Sequence, residues 1–228
     1  MNPFFYIQEL FFPRNCASCV QTLRPFEEFI CVKCHLQLPL FEEAVFDPEM
    51  LDRKFWGRVK IKNTYSFLKF SKNSPVQHLL HELKYRNKPE LAEFMGRWYG
   101  NHLLSKLKNV DVDTFVGVPL HAHKEAIRGY NQADKIAKGL SASLGIDFEE
   151  KIVKRLKNTE TQTNKSRYQR FSNMAGVFEV NKLEFVKDKK IGIVDDVLTT
   201  GSTIASLAEE LYAAGALEVS VYSLAAGI

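Results

Sequence analysis

The stretch from Ile191 to Ile204, with the sequence IGIVDDVLTTGSTI, constrains this chain more than any other. It begins with an apolar run of the kind that forms a strand buried on both faces of a parallel sheet. The run ends in Asp195 and Asp196. Because open α/β sheets bind ligands where their strands leave the sheet, we expect both carboxylates to lie in a ligand site.

The small residues that follow the two acids predict an anion site. They offer hydroxyl and backbone N–H groups at the start of a predicted amphipathic helix, Ala205–Ala214, where unpaired amides and the helix dipole favour phosphate. Two carboxylates would repel a phosphate, but they suit the vicinal hydroxyls of a sugar because ionised carboxylates only accept hydrogen bonds. The alternative is an ordinary N-capping cluster beside two solvated acids. The pattern favours a site for a ribose 5-phosphate group, whose phosphate would lie on Thr199, Thr200, Gly201, Ser202 and Thr203.

All four cysteines lie near the start of the chain, in two C-x-x-C pairs. Each pair places two thiolates on one tight turn, and two such turns complete a tetrahedral all-sulfur zinc site. Two disulfides are the alternative, which the absence of a signal peptide disfavours. Four sulfur ligands leave no open position on the metal, so we expect a structural zinc ion held by Cys16, Cys19, Cys31 and Cys34.

The rest of the chain alternates predicted strands and helices. Ser74 and Pro75 suit the N-cap and first turn of a helix. The other predicted elements are a linker over Leu36–Lys54, one or two antiparallel strands in Lys60–Phe70, a helix over Pro89–Leu107, strands at Asp113–Leu120 and Leu217–Val221, and a helix ending near Leu144. This alternation predicts an α/β fold with a mostly parallel sheet flanked by helices.

Two further segments carry polar residues suited to anionic ligands. The loop His121–Asn131 follows a predicted strand and contains two cations and two histidines, so it either holds a diphosphate or is a solvated loop. The stretch Lys154–Phe171 has no apolar stripe and is either a mobile lid or an exposed loop. Its interleaved cations and aromatic rings suit single-stranded nucleic acid. The candidate residues are His121, Lys124 and Arg128 in the first segment and Arg167, Tyr168 and Arg170 in the second.

Composition excludes several classes of protein. Hydrophobic residues make up 45% of the 228 residues and charged residues 25%, as in an ordinary globular protein. A net charge of +4 permits anionic ligands without requiring nucleic acid. No apolar run approaches the ~20 residues of a membrane span, and Met1–Phe12 lacks the basic start of a signal peptide. We therefore expect a cytoplasmic protein that does not insert into a membrane.

The stretch Ile191–Ile204 resembles the loop of type I phosphoribosyltransferases that binds 5-phosphoribosyl 1-pyrophosphate (PRPP). The order of motifs along the chain is similar to that of the ComF/GntX-type family of competence and amidophosphoribosyltransferase-like proteins. One departure is Asn87, where that family usually has Gly. Besides the cysteines and the PRPP loop, the matching pieces are Leu83-Lys84-Tyr85-Arg86, Val118-Pro119-Leu120-His121, Arg128-Gly129-Tyr130-Asn131-Gln132, Arg155 with Thr161-Gln162, and Arg170 with Asn173 and Phe178.

The resemblance implies a type I phosphoribosyltransferase fold over residues 46–228, preceded by a zinc module and linker over residues 1–45. It implies that Asp195 and Asp196 bind ribose hydroxyls at the catalytic centre. The phosphate would bind in the PRPP loop, the pyrophosphate on His121–Arg128, and Lys154–Arg170 would close over the site. Mg²⁺ would be held mostly by pyrophosphate and water.

Two functions remain open from the sequence. The first is an enzyme that binds PRPP (or ribose 5-phosphate) and transfers the phosphoribosyl group to an unidentified acceptor. The second is a non-catalytic PRPP sensor that binds single-stranded DNA. The resemblance implies a role in DNA uptake during natural transformation, with competence-machinery proteins as partners.

Overall fold

A sheet of five strands, all parallel to their neighbours, organises the described part of the chain. The computed structural model describes residues 13–41, 49–156 and 176–227. Its strands are β1 (Thr64–Phe70), β2 (Thr114–Gly117), β3 (Asp147–Phe148), β4 (Val153–Arg155), β5 (Phe178–Val180), β6 (Lys190–Leu198) and β7 (Glu218–Gly227). The sheet order is β1–β7–β6–β2–β3, while β4 and β5 form a separate antiparallel pair.

Helices cover both faces of this sheet. They are α1 (Val32–Gln37), α2 (Pro75–Tyr85), α3 (Pro89–Lys106), α4 (Ala122–Arg128), α5 (Gln132–Leu144) and α6 (Ser202–Ala213). One core joins α2, α3 and α5 to the segment that contains the four cysteines, residues 16–38, called the cysteine segment below. A second core joins α6 to β4, β5 and residues 49–61. In β6, Val194 points into the first core and Ile191 and Ile193 into the second, since side chains alternate along a strand. The predicted α/β fold with a mostly parallel sheet flanked by helices is confirmed.

Helix α2 starts as its sequence predicts. Ser74 is the N-cap, its hydroxyl accepts a hydrogen bond from the Gln77 N–H at 3.2 Å, and Pro75 occupies the first position. Pro is tolerated there because its missing N–H would have no partner within the helix. The helix ends at Tyr85, next to the acid pair of β6.

Two predictions of local structure were wrong. Thr64–Phe70 pairs with β7 in parallel, whereas antiparallel strands were expected, because alternation of apolar residues reports half-burial and not the direction of the partner. The segment His121–Asn131 contains the helix α4, whereas a loop was expected. None of the residues of α4 is buried, so no apolar stripe marks it in the sequence.

The described parts of the predicted linker contact the sheet. Leu40 forms an antiparallel bridge with Leu68 on the open edge of β1. Leu51 and Phe55, on either side of a 3₁₀ turn at Asp52–Lys54, are buried in the second core. The segment after residue 48 is therefore part of the fold around β6.

Helices α3 and α5 touch through their backbones. A Cβ atom on Gly96 would lie 2.2 Å from the Ile136 carbonyl oxygen, and one on Gly139 would lie 2.2 Å from that of Glu93. Glycine at both positions allows α5 to pack this closely. The contact fixes the start of α5 at Gln132, a residue of the candidate site.

We expect Gly139→Ala to destabilise the chain. Alanine in a helix is normally favoured over glycine by about 1 kcal/mol, but here its methyl group would push α3 and α5 apart. Overpacking of this kind costs about 1–3 kcal/mol, measurable by urea unfolding. Asn101→Ala, on the exposed face of α3, is the control and should stay within about 0.5 kcal/mol of the wild type. A Gly139→Ala variant as stable as the wild type would contradict this packing.

Candidate functional site

The acid pair of β6 lies where the neighbouring strand β2 has ended. Pairing between β2 and β6 stops at Gly117 and Val194, whereas pairing of β6 with β7 continues to Leu198. Asp195 and Asp196 therefore remain in the strand but face a notch in the sheet on the β2 side. The sequence analysis placed the acid pair where its strand leaves the sheet. This is correct on the side of β2, but on the side of β7 the strand stays paired as far as Leu198.

Asp196 is buried, and two donors converge on one of its carboxylate oxygens. Lys84 Nζ lies 3.0 Å from Oδ2, and Gln132 Nε2 donates to the same atom at 2.8 Å. The Gln132 amide is oriented by Arg128, whose Nη1 donates to Gln132 Oε1 at 2.6 Å. The side chain of Asp196 is thus held from α2 and α5, with Arg128 of α4 behind Gln132.

Asp195 lies in a different electrostatic environment. Its Oδ1 accepts a hydrogen bond from the Asp196 N–H at 2.8 Å. Burial raises the pKa of Asp195 to about 7, and the neighbouring charge of Asp196 adds to this shift. The positive charges of Lys84 and Arg155 oppose the rise without cancelling it. The pair therefore holds its second negative charge only weakly at neutral pH.

The loop after β6 ends in an open helix N-terminus. Gly201 is the N-cap of α6 with φ 72°, and no side chain caps the helix. A Cβ at Gly201 would lie 2.9 Å from Phe55 Cε1, so both the backbone conformation and Phe55 require glycine. Thr200 Oγ1 and Ser202 Oγ lie 3.2 Å apart at this end of the helix. The arrangement leaves N–H and hydroxyl groups for an anion.

Two cations that the sequence analysis missed hold this loop through its carbonyl groups. Lys54 Nζ donates to the Thr199 carbonyl at 2.8 Å and to that of Gly227 at 3.3 Å. Arg58 Nη1 donates to the Thr200 carbonyl at 3.1 Å. The carbonyl oxygens of Thr199 and Thr200 point toward Lys54 and Arg58, so the positive charge of both side chains lies next to the loop. No local sequence signal marks Lys54 or Arg58, because each contact joins segments more than a hundred residues apart.

Two motifs that are far apart in the sequence meet beside the acid pair. The Tyr130 hydroxyl donates to the Leu83 carbonyl, and the Arg128 guanidinium lies 5.6 Å from the centre of the Tyr85 ring. Asn87, where a glycine was expected, has φ 47°, and its Oδ1 would lie 2.9 Å from a Cβ on Gly129. Asparagine tolerates this left-handed conformation, so the turn is kept.

The remaining predicted site residues differ in placement. His121 is the N-cap of α4 and accepts a hydrogen bond from the His123 N–H at 3.3 Å, while Lys124 is exposed on that helix. The structure brings Arg128 to the acid pair through Gln132. Arg155 lies in β4 and not in a loop. The predicted residues Arg167, Tyr168 and Arg170 lie outside the described residues.

A cavity of about 240 Å³ opens at the carboxyl end of β2. Asp134 of α5 lines it, directly beneath Gly117, where a Cβ would lie 2.2 Å from Asp134 Oδ1. Burial raises the pKa of Asp134 to about 7, with a further contribution from Glu150. Because Gly117 has no side chain, Asp134 can approach the end of β2. The sequence analysis did not predict this acid.

The four predicted ligand cysteines form one cluster. Their sulfur atoms all lie within 4.8 Å of one another, and none of the four is in a disulfide. Sulfur atoms around a tetrahedral ion at Zn–S distances of 2.3 Å would be about 3.8 Å apart, and Cys19 Sγ and Cys31 Sγ are separated by 3.7 Å. Burial, reinforced by the neighbouring thiols, raises the pKa of Cys34, so ionised sulfurs here need a cation. The cluster fits a metal ion such as zinc.

The cysteine segment contacts the start of α2 and the side of α3. His78 Nδ1 lies 2.9 Å from the Ala17 carbonyl oxygen, and the Ser18 hydroxyl donates to the Pro75 carbonyl at 3.3 Å. His35 stacks on Trp98 with ring centres 4.1 Å apart. The cysteine cluster is therefore packed against the same helix that carries Lys84 in its last turn.

The sequence of the chain is similar to a known protein family and to several known proteins. The family model described as phosphoribosyl transferase domain matches residues 126–228. Competence protein F of Haemophilus influenzae is 39% identical over 92% of this chain and 89% of its own length. The DNA utilization protein YhgH of Escherichia coli strain K12 is 34% identical over 92% and 88%, and competence protein ComFC of Streptococcus pneumoniae is 24% identical over 92% and 86%.

Solved structures overlap with the chain more loosely. A glutamine PRPP amidotransferase from B. subtilis is 20% identical and covers 62% of this chain and 30% of its own, with a TM-score of 0.43. An adenine phosphoribosyltransferase is also 20% identical, over 63% of this chain and 74% of its own, with a TM-score of 0.37. Every helix in the described part of the chain is too short or too polar to cross a bilayer.

We expect Asp195→Asn to stabilise the chain, increasingly so toward alkaline pH. The folded state keeps Asp195 protonated up to about pH 7, whereas the unfolded chain releases that proton near pH 4. Stability therefore falls as pH rises through this window, and asparagine removes the penalty. Thermal unfolding should show a gain of at least about 2–4 °C at pH 8, the shift expected for about 1 kcal/mol, and a smaller one at pH 5. The control is Asp147→Asn, which replaces an exposed acid of β3. A gain independent of pH would contradict this assignment.

Proposed function

The chain belongs to the ComF-type family of type I phosphoribosyltransferases, and from this premise we propose that it binds PRPP with Mg²⁺ at the notch beside β6. One observation carries the proposal. The acid pair and the uncapped N-terminus of α6 lie at the same edge of the sheet, on either side of the loop Thr199–Gly201. A sugar phosphate has hydroxyls for the acids and a phosphate for the helix.

The ribose would be held by the carboxylates. Both donors to Asp196 bind Oδ2, and no other described residue donates to its Oδ1. That oxygen can accept a hydrogen bond from a ribose hydroxyl. Asp195, on the opposite side of the strand, would accept one from the adjacent hydroxyl.

The 5′-phosphate would lie on the loop Thr199–Thr203. Backbone N–H groups at the start of α6 and the hydroxyls of Thr200 and Ser202 would donate to it. Lys54 and Arg58 keep the loop carbonyls turned away from the anion. Phe55 supports Gly201 from below, so the cradle is formed before the ligand arrives.

The pyrophosphate would lie toward α4, near Arg128, with Lys124 as a further cation and His121 as a further hydrogen-bond partner. Mg²⁺ prefers oxygen ligands and keeps much of its water, so pyrophosphate oxygens and water would hold it. Bound there, the ion would neutralise charge on the pyrophosphate group. The protein's own contribution is to orient the ribose and exclude water.

The test is calorimetric binding of PRPP with Mg²⁺ to the full chain. A 100-fold excess over Kd should stabilise the fold by about 2.7 kcal/mol, which raises the unfolding temperature by about 2–4 °C per kcal/mol. Asp196→Asn should weaken binding at least tenfold because a neutral amide is a weaker acceptor for the ribose hydroxyls. Asp147→Asn, the control, should bind as the wild type does. The absence of binding to the wild type would refute the proposal.

The names of the relatives favour a second candidate. Two are competence proteins and one is a DNA utilization protein, which supports a role in DNA uptake, with single-stranded DNA and competence-machinery proteins as partners. In this candidate the chain senses PRPP without transferring its ribosyl group. Pyrophosphate release from PRPP, assayed with a panel of nucleobases and with ammonia, separates the two, since release supports an enzyme and silence a sensor.

The cysteine cluster would bind one structural zinc ion, within an N-terminal module proposed to span residues 1–45 ahead of a phosphoribosyltransferase domain over 46–228. Four unpaired thiols gathered at one site suit a reducing compartment, which supports a cytoplasmic protein. Because all four positions on the ion are taken by sulfur, the metal would support the fold and not the chemistry.

We expect the purified chain to contain one zinc ion per molecule and Cys34→Ser to contain much less. Loss of the ion would release the segment that contacts His78 and Pro75. The free energy of unfolding should therefore fall by more than about 1 kcal/mol, and the unfolding temperature by several degrees. Lys33→Ala, at an exposed neighbour in α1, should retain both zinc and stability. Zinc well below one per chain in the wild type, measured by atomic emission, would contradict the assignment.

A further inference from the structure

We propose that Lys84 is a positioning residue that presents Asp196 to the ribose: it holds Oδ2 from α2 and leaves Oδ1 to the ligand. This inference rests on the proposed function. Lys84 is not expected to touch PRPP. Its effect would act through the orientation and charge of Asp196.

The geometry of the Asp196 carboxylate carries the argument. Lys84 Nζ and Gln132 Nε2 both bind Oδ2, at 3.0 and 2.8 Å, from two different helices. Two donors on one oxygen restrict the rotation of the carboxylate and leave the other oxygen without either of them. The side chain is only 8% exposed, so little else competes for its orientation.

Charge supplies the second part of the argument. Asp195 and Asp196 are adjacent, and like charges in a partly buried site favour uptake of a proton. Lys84 is the cation that forms an ion pair with Asp196, and its charge also lowers the pKa of Asp195. The other groups that interact with the pair are Arg155 of β4, Arg128 acting through Gln132, and Tyr130, whose hydroxyl bonds to Leu83. Within the described residues, Arg128 reaches Asp196 through Gln132 and not by a direct ion pair.

Lys84 is itself fixed in position. It lies in the last turn of α2, between Leu83, whose carbonyl accepts from Tyr130, and Tyr85, which packs beneath Arg128. The side chain of Lys84 is 27% exposed, so its ammonium group stays near the notch without being sealed from solvent. A lysine on a free surface would gain little from such a pair, but here one partner is buried.

The test compares Lys84→Met with the wild type in calorimetric titrations with PRPP and Mg²⁺, with ribose 5-phosphate, and with pyrophosphate and Mg²⁺. The methionine variant should bind PRPP and ribose 5-phosphate about 10–100-fold more weakly at pH 7, since one pKa unit of interaction corresponds to tenfold. Binding of pyrophosphate should change less than about twofold, because that ligand has no ribose for Asp196 to hold.

The pH profile separates positioning from a purely structural role. Wild-type affinity for PRPP should fall as pH drops below about 7, where Asp195 becomes protonated. In Lys84→Met this fall should move to higher pH, and part of the lost affinity should return at pH 9. A structural defect would lower the affinity for all three ligands at every pH. Lys84→Arg, which keeps the charge, should restore binding to within about tenfold of the wild type.

Two further variants keep the outcome decisive. Lys88→Met removes a comparable ion pair, Lys88 to Glu82 at 2.8 Å, just past the end of the same helix, and should leave all three affinities unchanged. If Lys84→Met does not fold, Lys84→Gln keeps a donor for Asp196 without the charge and should show the same shift in pH profile. If the wild type binds PRPP and the Lys84 variants bind it with the same affinity and pH profile, this inference is overturned while the proposed function stands. The absence of PRPP binding to the wild type would instead refute the proposed function.

Discussion

The repulsion between two adjacent carboxylates, Asp195 and Asp196, is the constraint on which the rest of this structure depends. Both sit on the central strand of the sheet, beyond the end of β2, where solvent screens them poorly. Successive side chains leave a strand on opposite faces, so each acid needs its own compensation. Lys84 and Gln132 supply it for Asp196, and the charge of Arg155 acts on Asp195. Helices α2 and α5 and strand β4 are therefore parts of one site.

Helix α2 connects the cysteine cluster to that site. The cysteine segment contacts its first turn through Ala17 and Ser18. The last turn of the same helix carries Lys84, which binds Asp196. Since a short helix packed in a core moves nearly as a rigid unit, a shift of the cysteine segment would reach Lys84. The cysteine segment therefore supports the helix that carries Lys84.

Sequence reasoning succeeded where the signal is local. The clustering of the four cysteines, the strand, loop and helix from Ile191 to Ser202 and the cap at Ser74 follow from contiguous patterns, and the fold class follows from the alternation of strands and helices. It failed where the partner is distant. Nothing near Lys54 or Arg58 indicates that these residues would reach the site, because only the folded chain brings them there. Gln132 was named as part of a matching motif, but its contact with Asp196 was not predicted. The direction of β1 and the exposed helix α4 were missed because alternation and apolar stripes report burial alone.

A structure of the chain with PRPP and Mg²⁺ bound tests the central claim most directly. The account predicts a ribose hydroxyl within about 3 Å of Asp196 Oδ1, Lys84 still on Oδ2, and the 5′-phosphate against the N-terminus of α6. A ligand whose ribose contacts neither acid, or an Asp196 that leaves Lys84 to reach the sugar, would contradict it.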